Sequence, residues 1–546
     1  MKLSSAVCAL AALQTAVAVP AAERVSSPQK RGYVGLDFTK SYGSSFSDAS
    51  ENNRPQGQLY KRSDGYESIE ITNQITFYSV SLNIGTPSQN ITVLVDTGSS
   101  DLWVSNSNNP YCRSNYVAGS SASSGITSDD TINCQQYGTF DPTASNTWSS
   151  NNTAFKISYG DSTFASGVWG QDQLHLEDVN VTGLSFAVAN RSNSTVGVLG
   201  IGMPGLEVTY GGSRTTKPYQ YDNFPMVLKR NGAIEANAYS LYLSDIDDTH
   251  GTVLFGAVDH SKYVAPLYTI PLVNTLKANG FSSAVQFDVT LQGVGITTDG
   301  GETGTTLTTT NIPALLDSGT TLTYLPEKIV SMIAKQVGAT YSNAAGYYTM
   351  SCSSSLFNST EIVFDFGGFH INATLENFIV QASARTCLLG IVPQSANSAL
   401  LGDSFLSNAY VVYDLENKEV ALAQARYDVD DEDIEVITSG ASSIPGATNA
   451  PGYSNTWSTS VTSIGTTGNI FTVYQASVGA SSTSGSAAST STGSSRSSTK
   501  RSSASTTSKS SSSSKSNNKK NDAVRPDALG PVGVVSAVAF FMAMLL

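Results

Sequence analysis

The chain has 546 residues and a formal net charge of −13, too long for one compact core. Its charge is uneven: residues 63–437 carry 14 Lys and Arg against 37 Asp and Glu, a net of −23, and the flanks are net basic. So acidic a centre argues against a nucleic-acid partner and suits cationic partners and an acidic medium, where protonation relieves self-repulsion.

The N-terminus has the order of a secretory signal over residues 1–18: Lys2, the apolar run Ala6–Leu13, then the small-x-small site Ala16-Val17-Ala18. The apolar run is too short to span a bilayer. Residues 19–62 are polar and carry the dibasic pairs Lys30-Arg31 and Lys61-Arg62, which predicts a pro-peptide ending at Arg62. From about residue 66 to 427 the chain has short β-type runs broken by Gly, Asn, Asp and Ser. Ile91–Val95, Ser240–Leu243, Val253–Phe255 and Ala409–Tyr413 are examples. Ile329–Val337 holds a helical period. The fold class expected is mostly β.

Cys8 leaves with the signal, and four cysteines in an oxidising compartment imply two disulfides. Three pairings are open; Cys112–Cys134 with Cys352–Cys387 is the local choice. There is no CxxC pair and the four His are scattered, so no metal site is expected. Seven Asn-x-Ser/Thr sequons, at Asn90, Asn151, Asn180, Asn190, Asn193, Asn358 and Asn372, are candidate glycosylation sites. After the acidic run Asp428–Glu435 the chain turns Ser/Thr/Gly-rich, and residues 438–521 read as a disordered, O-glycosylated stalk. Small residues at 521–523, a polar spacer and the uncharged run Pro531–Leu546 match a GPI-attachment signal over 522–546. Asn521 is the preferred attachment residue, with Asn517 and Asn518 as alternatives. The mature protein is expected outside the cell, tethered to the membrane or wall.

An internal repeat organises the centre. Ile91-Thr-Val-Leu-Val-Asp96-Thr97-Gly98-Ser99 parallels Ile312-Pro-Ala-Leu-Leu-Asp317-Ser318-Gly319-Thr320, and each is followed by an apolar-apolar-Gly element, Val198-Leu199-Gly200 and Leu400-Leu401-Gly402. Two copies imply two lobes, 63–245 and 246–437, related by an approximate two-fold axis. One Asp-Thr-Gly is only a turn signal. Two copies, each after an apolar strand, bring two carboxyl groups together at the axis, with the Thr or Ser hydroxyl free to bond across. Two close carboxylates cannot both ionise cheaply, so the pair shares a proton: one accepts a proton from water while the other hydrogen-bonds a carbonyl. No Gly-x-Ser-x-Gly or His-Glu-x-x-His sequence offers a serine or metal alternative.

On these motifs the region 70–427 resembles the pepsin-like aspartic proteases. Asp96-Thr97-Gly98-Ser99 and Asp317-Ser318-Gly319-Thr320 look like the two active-site loops. Trp103 is similar to the family tryptophan, and Tyr159-Gly160-Asp161 resembles the flap, with Tyr159 as flap tyrosine. Cys352–Cys387 resembles the C-terminal-lobe disulfide, and Leu401–Phe405 the closing segment. The resemblance implies a bilobal fold with the site in the cleft, catalysis by Asp96 and Asp317, no cofactor, peptide or protein substrates, and a monomer. The pro-peptide, stalk, GPI-like tail and Cys112–Cys134 insertion resemble the fungal yapsins, which implies cleavage at basic residues. Asp161 and the −23 centre are compatible with attracting Lys or Arg. A broad hydrophobic-site acid protease and an inactive protease-like wall protein are the alternatives.

Overall fold

The computed structural model describes residues 32–471, apart from 43–75 and short breaks at 161–162, 177–178, 211–217, 246–247, 249, 299–302, 344, 384, 430, 441–443 and 460. The signal, both dibasic pairs, Asp161, Asn521 and the terminal apolar run lie outside the described residues.

The N-terminal lobe is built on strands β1 (Val34–Tyr42), β2 (Thr76–Ile84), β3 (Gln89–Asp96), β4 (Leu102–Ser105), β5 (Ser149–Ser158), β6 (Phe164–Leu176), β7 (Val179–Ser192), β8 (Gly197–Gly200), β9 (Ala238–Tyr242) and β10 (His250–Phe255). The order β10-β1-β2-β3-β8-β4-β7-β6-β5 is part of one 14-stranded sheet, and β6 also pairs with β2, curling the lobe on itself. Beyond β10 the same sheet continues through β9 into the C-terminal strands Ala409–Asp414, Glu419–Ala425 and Tyr263–Pro271. The largest of several apolar clusters runs through both lobes, from Phe38 and Val93 through Phe255 and Phe287 to Leu316, Phe405 and Tyr413.

The expected repeat appears as repeated topology. In the first lobe β3 runs parallel to β8, β8 antiparallel to β4, and β4 parallel to β7. In the second, Ile312–Leu316 runs parallel to Ala399–Leu401, which is antiparallel to Thr323–Pro326, itself parallel to Ile391–Gln394. The apolar-apolar-Gly elements are the partners of the Asp-bearing strands: Asp96 lies opposite Gly200 and Leu316 opposite Leu401. These strands are buried on both faces, which is why they read as unbroken apolar runs. The predicted helix spans Glu327–Val337, buries Ile329, Val330, Ile333, Ala334 and Val337 on one face, and ends at Gly338 in the left-handed region.

Two segments outside the expected lobes are built into the fold. The pro-peptide expected over 19–62 contributes β1, seated between β2 and β10, with Val34, Leu36, Phe38 and Lys40 buried in alternation. Its period of two is legible once the polar flanks are set aside. The stalk expected to be disordered from 438 is packed as far as Phe471. Ala447–Asn449 pairs in parallel with Leu267–Thr269, and Ile444, Ala450, Ile464 and Ile470 are buried. Composition misled because these apolar residues are single and widely spaced in a polar run, so no period marks them.

Candidate active site

The strand Ile91–Val95 delivers Asp96, and Ile312–Leu316 delivers Asp317, to the same point between the lobes. Both carboxyl groups are buried, each against the glycine of the opposite loop. Each is held by its own loop in the same way. Gly98 N donates to Asp96 Oδ1 (2.7 Å) and Ser99 Oγ to Asp96 Oδ2; Gly319 N donates to Asp317 Oδ1 (2.9 Å) and Thr320 Oγ1 to Asp317 Oδ2 (2.8 Å). Glycine is required at 98 and 319 because a Cβ there would collide with the opposite carboxyl group. The neighbouring hydroxyls cross the axis. Thr97 Oγ1 donates to Leu316 O (3.0 Å) and Ser318 Oγ to Val95 O (2.9 Å), while Ser318 N donates to Thr97 Oγ1 (3.0 Å) and Thr97 N to Ser318 Oγ (3.2 Å). This buried exchange locks the two loops in register.

Burial, and then the charge of Asp317, push the Asp96 carboxyl well above the usual carboxylate range; burial does the same to Asp317. The pair therefore holds a proton into the range where an isolated Asp has lost it. Such a pair can take a proton with one oxygen and give one with another, the requirement for activating water against a carbonyl.

Strands β5 and β6 form a hairpin. It closes where Tyr159 N donates to Thr163 O (2.9 Å). Trp103 is fully buried on β4, and its Nε1 donates to Tyr159 Oη (2.7 Å). Tyr159 packs on an apolar cluster of Trp103, Phe155, Ile157 and Trp169.

Residues 77–425 match the family model for eukaryotic aspartyl protease. The chain belongs to that family. It is 56% identical to aspartic proteinase 3 of Saccharomyces cerevisiae, over 83% of this chain and 88% of the relative. It is 51% identical to aspartic proteinase MKC7, over 82% and 81%, and 50% identical to aspartic proteinase yapsin-3, over 88% of each, both from the same yeast. The chain is therefore a pepsin-like aspartic endopeptidase of yapsin type.

In this protease Cys112–Cys134 and Cys352–Cys387 are the disulfides, the local pairing. They close loops of 22 and 35 residues, worth about 3–4 kcal/mol each in the chain-entropy model. Of the sequon residues, Asn90, Asn151, Asn180, Asn190, Asn358 and Asn372 are exposed, and Asn193 is half-buried with its Oδ1 accepting from Phe164 N (2.8 Å). Gly160 follows Tyr159 on the hairpin and is exposed.

The protease also has buried acids that no motif announces. Asp101 accepts from Tyr221 Oη (2.7 Å) and Val208 N (3.0 Å), and burial pushes it up to about 6. Glu207 accepts from Tyr221 N (2.9 Å), and burial pushes it up to about 9. Asp403, at the start of the short helix Asp403–Leu406, is buried and lifted well above its ordinary value. The sequence signal was position alone: Asp101 follows the first active-site loop and Asp403 falls in the closing segment Leu401–Phe405; Glu207 had none.

Proposed function

We propose that Asp96 and Asp317 are the catalytic carboxyls of a secreted, cell-surface endopeptidase that cleaves at basic residues. The observation that carries this reading is the pair of buried carboxyls at the junction of two repeated loops, each held by its own loop in the same way. One carboxylate takes a proton from a water molecule as its oxygen attacks the scissile carbonyl carbon. The other carboxyl group donates to the carbonyl oxygen, and the resulting gem-diol collapses as the amine leaves with a proton. Thr97, Gly98, Ser99, Ser318, Gly319 and Thr320 orient the pair. The Tyr159–Asp161 hairpin acts as the flap over the substrate, and Trp103 positions Tyr159.

Selectivity for Lys or Arg is supported by Asp161, which follows Tyr159-Gly160, and by the −23 charge of residues 63–437. The signal sequence, the pro-segment ending at Arg62, the sequons, and the GPI-like tail after Asn521 together support a zymogen exported and tethered at the surface, working as a monomer on protein substrates.

A peptide-library digest at several pH values, with and without a transition-state inhibitor of aspartic proteases, tests this. The expected result is inhibitor-sensitive, acid-favoured cleavage at Lys and Arg. Asp96→Asn and Asp317→Asn should fold but lose about a thousandfold in turnover, and Asp161→Ala should lose about tenfold in preference for basic sites. Cleavage mainly at hydrophobic sites would establish a broad acid protease, and no cleavage a protease-like wall protein.

A further inference from the structure

The insertion that follows β4 and contains Cys112–Cys134 sits against the root of the β5–β6 hairpin. Pairing of β6 with β7 ends at Ala165 opposite Ser192. Phe164 is thus the residue at which β6 leaves β7; there β6 pairs with β5 alone, and Trp103 bonds Tyr159. A two-stranded hairpin is marginal in water, so its position depends on what grips it at Tyr159 and at Phe164.

Two groups grip Phe164. The ring of Tyr111 meets the ring of Phe164 edge-on at 5.7 Å, and Asn193 Oδ1 accepts from Phe164 N (2.8 Å). Tyr111 is itself held from three directions. Its neighbour Cys112 is tied to Cys134. The Arg191 guanidinium lies over its ring at 5.4 Å, with Arg191 Nη1 donating to Ala122 O (3.3 Å) on the far side of the insertion. Asn109, fully buried, accepts from Tyr111 N (3.2 Å) and from Ser192 N (3.2 Å), and its Nδ2 donates to Ser192 O (2.9 Å). Asn109 therefore fastens the insertion to the last paired residue of β7, opposite the root of the hairpin.

We propose that this disulfide-closed insertion is a buttress for the flap, with Tyr111 as a positioning residue that sets how much of the protein has the hairpin poised over the cleft. The proposal rests on the reading of Tyr159–Asp161 as the flap. Trp103 holds the hairpin from inside through Tyr159, and Tyr111 holds it from outside through Phe164. Loss of the outer grip lowers the poised fraction, and apparent substrate affinity falls in proportion. The chemistry once substrate is bound does not change.

The test is steady-state hydrolysis of a basic-site peptide, with concentrations normalised by titration with a tight-binding inhibitor. For Tyr111→Ala, KM should rise about two- to tenfold, the range expected for an aromatic pair, with kcat within about twofold of wild type. Tyr111→Phe keeps the ring and should restore KM. Phe164→Leu should raise KM by itself and add little to Tyr111→Ala, since both remove one contact. A purely structural Tyr111 would instead lower Tm and the titratable fraction and leave KM unchanged. That result, or a Tyr111→Phe as impaired as Tyr111→Ala, overturns the buttress. Asp96→Asn run alongside separates the two ideas. Retained turnover there would overturn the dyad and the flap reading with it, whereas a dead Asp96→Asn beside an unchanged KM in Tyr111→Ala overturns the buttress alone.

Discussion

Ser318 joins the two lobes at their most buried point. Its hydroxyl gives a hydrogen bond to Val95 O and receives one from Thr97 N, so one atom makes two of the four bonds that cross between the loops. Ser318→Ala strands a buried carbonyl and a buried N–H together, at a cost of about 1–3 kcal/mol for each group. Thermal unfolding of Ser318→Ala should show a clear fall in Tm, with kcat/KM reduced as the carboxyls lose their register. Ser318→Thr, which the equivalent Thr97 shows to be sterically acceptable in the partner loop, should restore both. A wild-type Tm in Ser318→Ala would show that the crossing adds nothing to stability. This crossing was legible in the sequence because a hydroxyl residue follows each Asp, and the repeat places the two in equivalent settings. Glu207 was not legible. A Glu in a loop reads as solvated, and its burial comes from the tertiary fold, which brings Tyr221 N to its carboxylate.

At the scale of elements, the repeated strands were readable because burial on both faces turns them into plain apolar runs with a glycine at each tight approach. The C-terminal strap was not. Its apolar residues occur singly, and the groups that hold the strap lie from 64 to more than 150 positions earlier in the chain. Ile470 and Phe471 rest on Gly293, Gly295 and Gly304, where any Cβ would meet their side chains. Lys328 Nζ donates to Ile464 O (2.7 Å), Thr308 Oγ1 to Gly465 O (2.7 Å) and Asn397 Nδ2 to Val461 O (2.7 Å). A protein cut after Ile437 would bare the surface under three isoleucines, each worth about 1.5–3 kcal/mol when buried. Its Tm should fall by roughly 10 °C, while a protein ending at Gln475 should melt like the full chain. Equal melting of the two by calorimetry would reduce the strap to an ornament of the surface. The family match ends at residue 425, so a boundary drawn from that likeness alone would cut the strap away.

Across the whole molecule, the buried acids act together on stability. Asp96, Asp101, Glu207, Asp288, Asp317 and Asp403 are all buried, and burial is the leading cause of the upward push on each, to about 6 for Asp101 and Asp288 and about 9 for Glu207. Between the ordinary carboxylate range and these raised values, the folded protein holds protons that the unfolded chain has released. The slope of unfolding free energy with pH is then negative. Their contribution is fully present below about pH 4 and is lost as pH climbs through the raised values, at about 1.4 kcal/mol for each tenfold change in proton affinity. The −23 charge of residues 63–437 pulls the same way, since its self-repulsion grows over the same range. On the acid side the sign reverses. Burial lowers His370 to about 4, so its contribution is lost as pH falls below about 6.5, and the hydrogen-bonded Asp141 and Glu416 are lowered too. One histidine and two surface acids oppose six buried carboxyls, so Tm should peak in the acidic range near pH 4–5 and decline steadily to pH 8. Glu207→Gln keeps an acceptor for Tyr221 N and removes one titrating group. Its Tm should match wild type near pH 4 and exceed it by pH 8, with a shallower slope between. A wild-type Tm that rises from pH 4 to pH 8 would mean that these carboxyls are ionised in the folded protein, and the acid-poised stability argued from their burial would fall with it.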